Sequence, residues 1–112
     1  MNNYTLILNN VSRNGALIKV DLLSTKKASL ILRAINHKLR QQMLKLIDEE
    51  GKMTVTELYL KLRLEQSVAS QHLAILRKAG IVKAVRNGKF IHYSINTERV
   101  EEINEFVKNL LK

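Results

Sequence analysis

Between Lys61 and Lys89 the chain carries Lys61, Arg63, Arg77, Lys78, Lys83, Arg86 and Lys89 against a single acid, Glu65. Cations gathered in one stretch suit a polyanion, with nucleic acid first and an acidic membrane second. The same stretch holds Gln66, Ser67, Val68, Ser70 and Gln71, side chains of the kinds that read base edges. Gln71 can meet adenine bidentately, the Ser70 hydroxyl can serve several bases, and Val68 fits a thymine methyl. Arg77 and Lys78 suit phosphate, and Arg86, Asn87 and Lys89 form a second exposed polar group. The chain as a whole has a formal charge of +9, but the acids Glu98, Glu101, Glu102 and Glu105 cluster near its end. A basic surface confined to one region fits a binding face better than general solubilisation.

Other chemistry finds little support. Cysteine is absent, which removes disulfides, thiolate metal sites and thiol redox switches. His37, His72 and His92 lack the close spacing of a zinc motif. Their ordinary roles are a hydrogen bond at a helix start for His37, a backbone or phosphate contact for His72, and an outward position on a strand for His92. There is no Gly-rich phosphate loop, His-Glu-x-x-His or nucleophile elbow. The Glu98–Glu105 cluster reads as favourable charge at a helix start. No catalytic residue, metal or cofactor is therefore expected. Scarce aromatics argue against stacking on single strands. No stretch resembles a signal peptide or a membrane span, so a cytoplasmic protein is expected.

Elements must position these side chains. A chain of 112 residues without proline suits one mainly helical domain. Ser24 or Thr25 can cap a helix to about Ile35, and a second helix runs from about Lys38 to Glu50, stopped by Gly51. Thr54 and Glu57 form a capping box for a third. A fourth is expected from a Ser67 cap to Gly80, with Ala69, Leu73 and Leu76 buried. Strands Ile81 to Arg86 and Lys89 to Ile95 flank Asn87-Gly88, a type I′ hairpin signal. A last helix starts after Asn96 or Thr97. Residues 4–8 and 16–23 are short apolar runs around a Ser12-Arg13-Asn14-Gly15 turn, and fit a hairpin, an irregular arm or a helical start.

Helix, turn, helix and a basic-tipped hairpin make a winged helix-turn-helix: mainly α (α+β), about five helices with a two-stranded wing and a possible extra N-terminal strand or arm. Residues 1–23 are expected to form an N-terminal arm or hairpin, and 24–112 the winged helix-turn-helix DNA-binding and dimerisation domain. Ser67-Val-Ala-Ser-Gln-His-Leu-Ala-Ile-Leu-Arg-Lys-Ala-Gly-Ile-Val82 resembles the recognition helix and exit of ArsR-type regulators. Gly88-Lys-Phe-Ile-His-Tyr-Ser-Ile95 is similar to that family's returning wing strand. Asn36-His-Lys-Leu-Arg40 resembles its His-Pro-x-Arg entry, with Lys38 in place of proline. The resemblance spans Thr25 to Leu111.

It implies a homodimeric repressor on double-stranded, pseudo-palindromic DNA, released by an inducer. The family's metal sites do not carry over. Thr54 and Thr56 stand where the arsenic-type site has cysteines, and Thr97, Arg99 and Leu110 where the zinc-type site has ligands. The first and last helices are expected to form the dimer interface, through Leu30, Ile31, Val100, Ile103, Val107 and Leu110. The competing reading is a winged-helix protein-interaction module that does not bind DNA, whose mark would be an acidic or apolar recognition face.

Overall fold

A computed structural model describes residues 4–9, 15 and 17–112. The chain falls into two compact units, residues 1–31 and 32–112. In the first, β1 (Thr5–Leu8) pairs antiparallel with β2 (Ile18–Asp21), Thr5 opposite Asp21 and Leu8 opposite Ile18. The N-terminal apolar runs are thus a hairpin. Residues 12–14 of the expected turn lie outside the described residues. β2 runs straight into α1 (Leu22–Ile35). Its cap is Asp21, not Ser24 or Thr25. The Asp21 carboxylate accepts from the Leu23 and Ser24 amides at 3.1 and 3.2 Å, and from the Ser24 hydroxyl at 2.8 Å. Those bonds, led by the Ser24 hydroxyl, hold the Asp21 carboxyl below its ordinary pKa. A carboxylate one residue before the helix outcompetes hydroxyls inside it because it reaches two orphan amides at once.

The second unit takes in the end of α1, then α2 (Lys38–Glu50), β3 (Met53–Thr54), α3 (Val55–Leu62), α4 (Gln66–Lys78), β4 (Val82–Asn87), β5 (Phe90–Ile95) and α5 (Thr97–Leu110). Its core is Met43 and Ile47 from α2, Met53, Leu58 from α3, Leu73 and Leu76 from α4, and Ile81. Ala69 is fully buried on α4, and its missing bulk permits a close helix crossing. The Thr54–Glu57 capping box is present. Gly51, at φ +86°, ends α2, donating to Ile47 O at 2.8 Å. Between α3 and α4, Arg63 takes a left-handed conformation (φ 54°), alone among the described non-glycine residues.

The sheet has order β3-β5-β4, so the wing's two strands are joined by a short third strand that was not expected. Met53 is opposite Tyr93 and Thr54 opposite His92. The expected Asn87-Gly88 turn is displaced by one residue. Asn87 pairs with Phe90, leaving Gly88-Lys89 as the loop, and of these only Gly88 has positive φ (66°). Glycine at the first central position is the type II′ pattern rather than I′. The physical reason is charge: the expected register sets Arg86 opposite Lys89, whereas the observed one sets Arg86 opposite Ile91.

Candidate nucleic-acid interface

α4 begins two residues earlier than expected, at Gln66, and its N-cap is Glu65 rather than Ser67, with no capping bond from the Glu65 side chain. The helix ladder opens with the Ala69 amide on Glu65 O at 3.1 Å. Ser67 is therefore inside the first turn, and its exposed hydroxyl is not the cap.

At 3.6 residues per turn, Ala69, Leu73 and Leu76 form the buried stripe, and the rest of the helix surface holds Gln66, Ser67, Ser70, Gln71, Arg77 and Lys78, all exposed, with the exposed Ala74 and Ile75 between them. Val68 is half-buried at the margin. Polar readers thus occupy the first turns and cations the last. Those cations also suit the negative end of the helix dipole. On the wing, Arg86, Asn87 and Lys89 are exposed, with Lys89 in the tip. Val85 and Phe90, not singled out in the sequence, are exposed there too.

The end of α4 is tied down. Gly80 (φ +77°) donates to Arg77 O at 2.9 Å and Ile81 to Leu76 O at 2.9 Å, a Schellman stop. Asn96, the cap of α5, donates through Nδ2 to Gly80 O at 3.0 Å, and Arg99 Nε donates to Ala79 O at 3.3 Å. One pair of side chains therefore fixes both the exit of the reading helix and the start of α5. Arg99 was noted in the sequence only as a poor metal ligand, and this positioning role leaves no local signal.

The histidines differ from expectation in two of three cases. His37 caps α2, its Nδ1 accepting from the Leu39 amide at 3.2 Å, as expected. His72 turns inward, its Nδ1 3.2 Å from an Arg40 guanidinium nitrogen, rather than toward phosphate. His92 does not face outward: it is half-buried, its Nδ1 is buried without a hydrogen-bond partner, and it lines a 630 Å³ groove with Lys52, Arg86 and Ser94. Lys61, counted in the basic stretch, is paired with Glu50 at 2.7 Å, which raises its pKa. The pair is exposed and contributes little to stability.

Among the described residues no group of three or more His, Cys, Asp or Glu side chains could hold a metal ion, and no helix is long and apolar enough to cross a membrane. Thr54 is engaged in its capping box and Arg99 on a carbonyl.

Residues 37–84, from the start of α2 into the wing, match the family model described as "Bacterial regulatory protein, arsR family". An HTH-type transcriptional regulator of Methanocaldococcus jannaschii is 41% identical over 85 residues, covering 76% of this chain and 96% of that one. The transcriptional activator HlyU of Vibrio cholerae is 34% identical over 88 residues, 78% of this chain and 80% of the relative. The transcriptional repressor PagR of Bacillus anthracis is 32% identical over 85 residues, 76% of this chain and 85% of the relative. The crystal structure of PagR superposes with a TM-score of 0.61 at 30% identity, over 76% of this chain and 97% of that one. With its reading helix, wing and these likenesses together, the chain belongs to the ArsR family of winged helix-turn-helix, DNA-binding transcription regulators, and is not an enzyme.

Proposed function

We propose that this protein is a homodimeric, sequence-specific repressor whose α4 reads the major groove of a pseudo-palindromic operator. Gln66, Ser67, Val68, Ser70 and Gln71 address base edges, Arg77 and Lys78 hold phosphate, and Arg86, Asn87 and Lys89 steady the wing on the backbone. The observation that carries this reading is the two-sided character of α4: a wholly apolar buried stripe, and an exposed surface with polar side chains in its first turns and cations in its last, Ala74 and Ile75 between them and no acid. An interaction module that ignores DNA would be expected to expose an acidic or apolar face there.

Dimerisation is supported by the apolar surface left on α5. Ile103 is buried within the chain and Val100 and Val107 are half-buried, but Phe106, Leu110 and Leu111 are exposed. In the other unit, Leu30 is exposed and Ile31 half-buried, a separate apolar surface for the same role. A two-fold pair sets recognition helices roughly 34 Å apart, one DNA turn, and so requires a site with matching symmetry. Occlusion of a promoter by the bound dimer then gives repression. PagR is named a repressor and HlyU an activator, so the sign of regulation is tested directly.

Selection from a random-sequence duplex pool, followed by titration at increasing salt, tests the reading. With about six to ten phosphate contacts, affinity should fall on the order of a thousandfold between roughly 50 and 200 mM salt. In-vitro transcription from a promoter overlapping the selected site should fall as protein is added. No binding to any duplex at low salt refutes the DNA reading, and a rise in transcript refutes repression.

A further inference from the structure

We infer that Arg40 and His72 form a clamp that seats the recognition helix, and that the clamp holds only while the His72 imidazole is neutral. Arg40 is the one buried charged side chain among the described residues, 6% exposed. Its Nε donates to Ala34 O at 2.6 Å and its guanidinium donates to Arg33 O at 3.0 Å, both at the end of α1. Its remaining terminal nitrogen faces His72 Nδ1 on α4 at 3.2 Å. A guanidinium has donors only, so His72 Nδ1 must be a bare acceptor with the ring proton on Nε2. One side chain from α2 thus joins the end of α1 to the middle of the reading helix.

The surroundings disfavour a second proton on His72. The His37 ring lies 4.9 Å away, centre to centre. The charged groups that act on the imidazole are His37 and Arg40, both from the α2 side, and neither is acidic. The end of α1 offers carbonyls that Arg40 already uses, and the Arg33 side chain itself is exposed. Neither α3 nor β4, which also pack on α4, contributes a charged group that acts on the ring, Lys83 and Arg86 of β4 included. Burial first, then His37 and Arg40, hold the His72 pKa below its ordinary 6.5. Protonation would turn the acceptor into a donor facing a guanidinium, losing the bond and setting two like charges side by side. Gln71 directly precedes His72, so any shift of the helix there moves a reading side chain.

The clamp as a determinant of affinity rests on the DNA reading above. Its sign is distinctive, because the field of a polyanion alone would make protonated histidines tighten binding as pH falls. The test is the affinity of the wild type and His72→Gln for the selected duplex, at fixed salt, from about pH 8 to about pH 5.5. The wild type should weaken several-fold on acidification. His72→Gln keeps an oxygen acceptor for Arg40 without titrating, and its profile should be flatter. His72→Leu, without an acceptor, should bind more weakly than His72→Gln at every pH. A wild-type profile that is flat or tightens on acidification, or a His72→Gln profile parallel to it, overturns the clamp. The second measurement needs neither DNA nor a variant. In the free protein, NMR should show the α4 amides of residues 66–71 shifting with the same midpoint as the His72 ring, below the ordinary histidine value. Amides that ignore that midpoint overturn the clamp, whereas absence of duplex binding at high pH counts against the DNA reading alone.

Discussion

The Thr54 hydroxyl accepts from the Glu57 amide at 3.2 Å while the Glu57 carboxylate accepts from the Thr54 amide at 2.9 Å. This reciprocal pair starts α3, the helix that braces the reading helix, and Thr54 also pairs with His92 in the sheet. Thr54→Ala should cost about 0.5–2 kcal/mol in urea unfolding. The Thr54 amide and hydroxyl hold the Glu57 carboxyl below its ordinary 4.5. A carboxylate with a depressed folded pKa stabilises above its unfolded pKa, and the contribution disappears as pH falls through the folded value. The wild type should therefore lose stability below about pH 4.5 more steeply than Glu57→Gln, by urea midpoints across that range.

Gly80 carries positive φ, and an added Cβ would meet Arg99 Nε at 3.4 Å. Gly80→Ala should destabilise the fold by about 1–2 kcal/mol through the left-handed backbone alone. That approach to Arg99 is ordinary contact, so Arg99→Ala should leave the backbone cost in place and the double variant should remain less stable than Arg99→Ala. Equal stability of Arg99→Ala and the double variant, by denaturant titration, would locate the whole cost in the side-chain contact.

Reading and holding should separate by substitution. Gln71→Ala is expected to cost about 1–3 kcal/mol per half-site and to relax preference at one base step. Arg86→Ala and Lys89→Ala should weaken all duplexes alike and lower the salt slope by about one per half-site each. The comparison is made by titrating each variant against the selected duplex and its single-base mutants. If Gln71→Ala leaves preference unchanged, that residue is solvated surface.

Leu110 is 64% exposed at the end of the α5 stripe, so it tests association with little effect on folding. Leu110→Asp should shift the protein toward monomer in sedimentation equilibrium while changing monomer stability by no more than about 0.5 kcal/mol. Affinity for a palindromic duplex should fall, because each monomer makes half the phosphate contacts. A Leu110→Asp protein that still sediments as the wild type does would remove this residue from the interface.

The sequence alone determined the helical framework and the wing, because these rest on local rules. Thr54 and Glu57 announced a capping box, Gly51 and Gly80 marked helix ends, and the spacing of Ala69, Leu73 and Leu76 gave α4 its buried side. From that side the exposed residues follow by helical geometry. What required the tertiary structure was every feature set by a partner distant in sequence. The wing's register shifted by one residue because strand pairing weighs Arg86 against Ile91 or Lys89. Met53–Thr54 became a strand only because β5 offered an unpaired edge. The roles of Arg40 and Arg99 were not legible locally, since each guanidinium is placed by a carbonyl oxygen of another element: Ala34 O for Arg40, Ala79 O for Arg99. His72 faces inward for the same reason: its acceptor is satisfied by a donor 32 positions away, and no periodicity records that pairing.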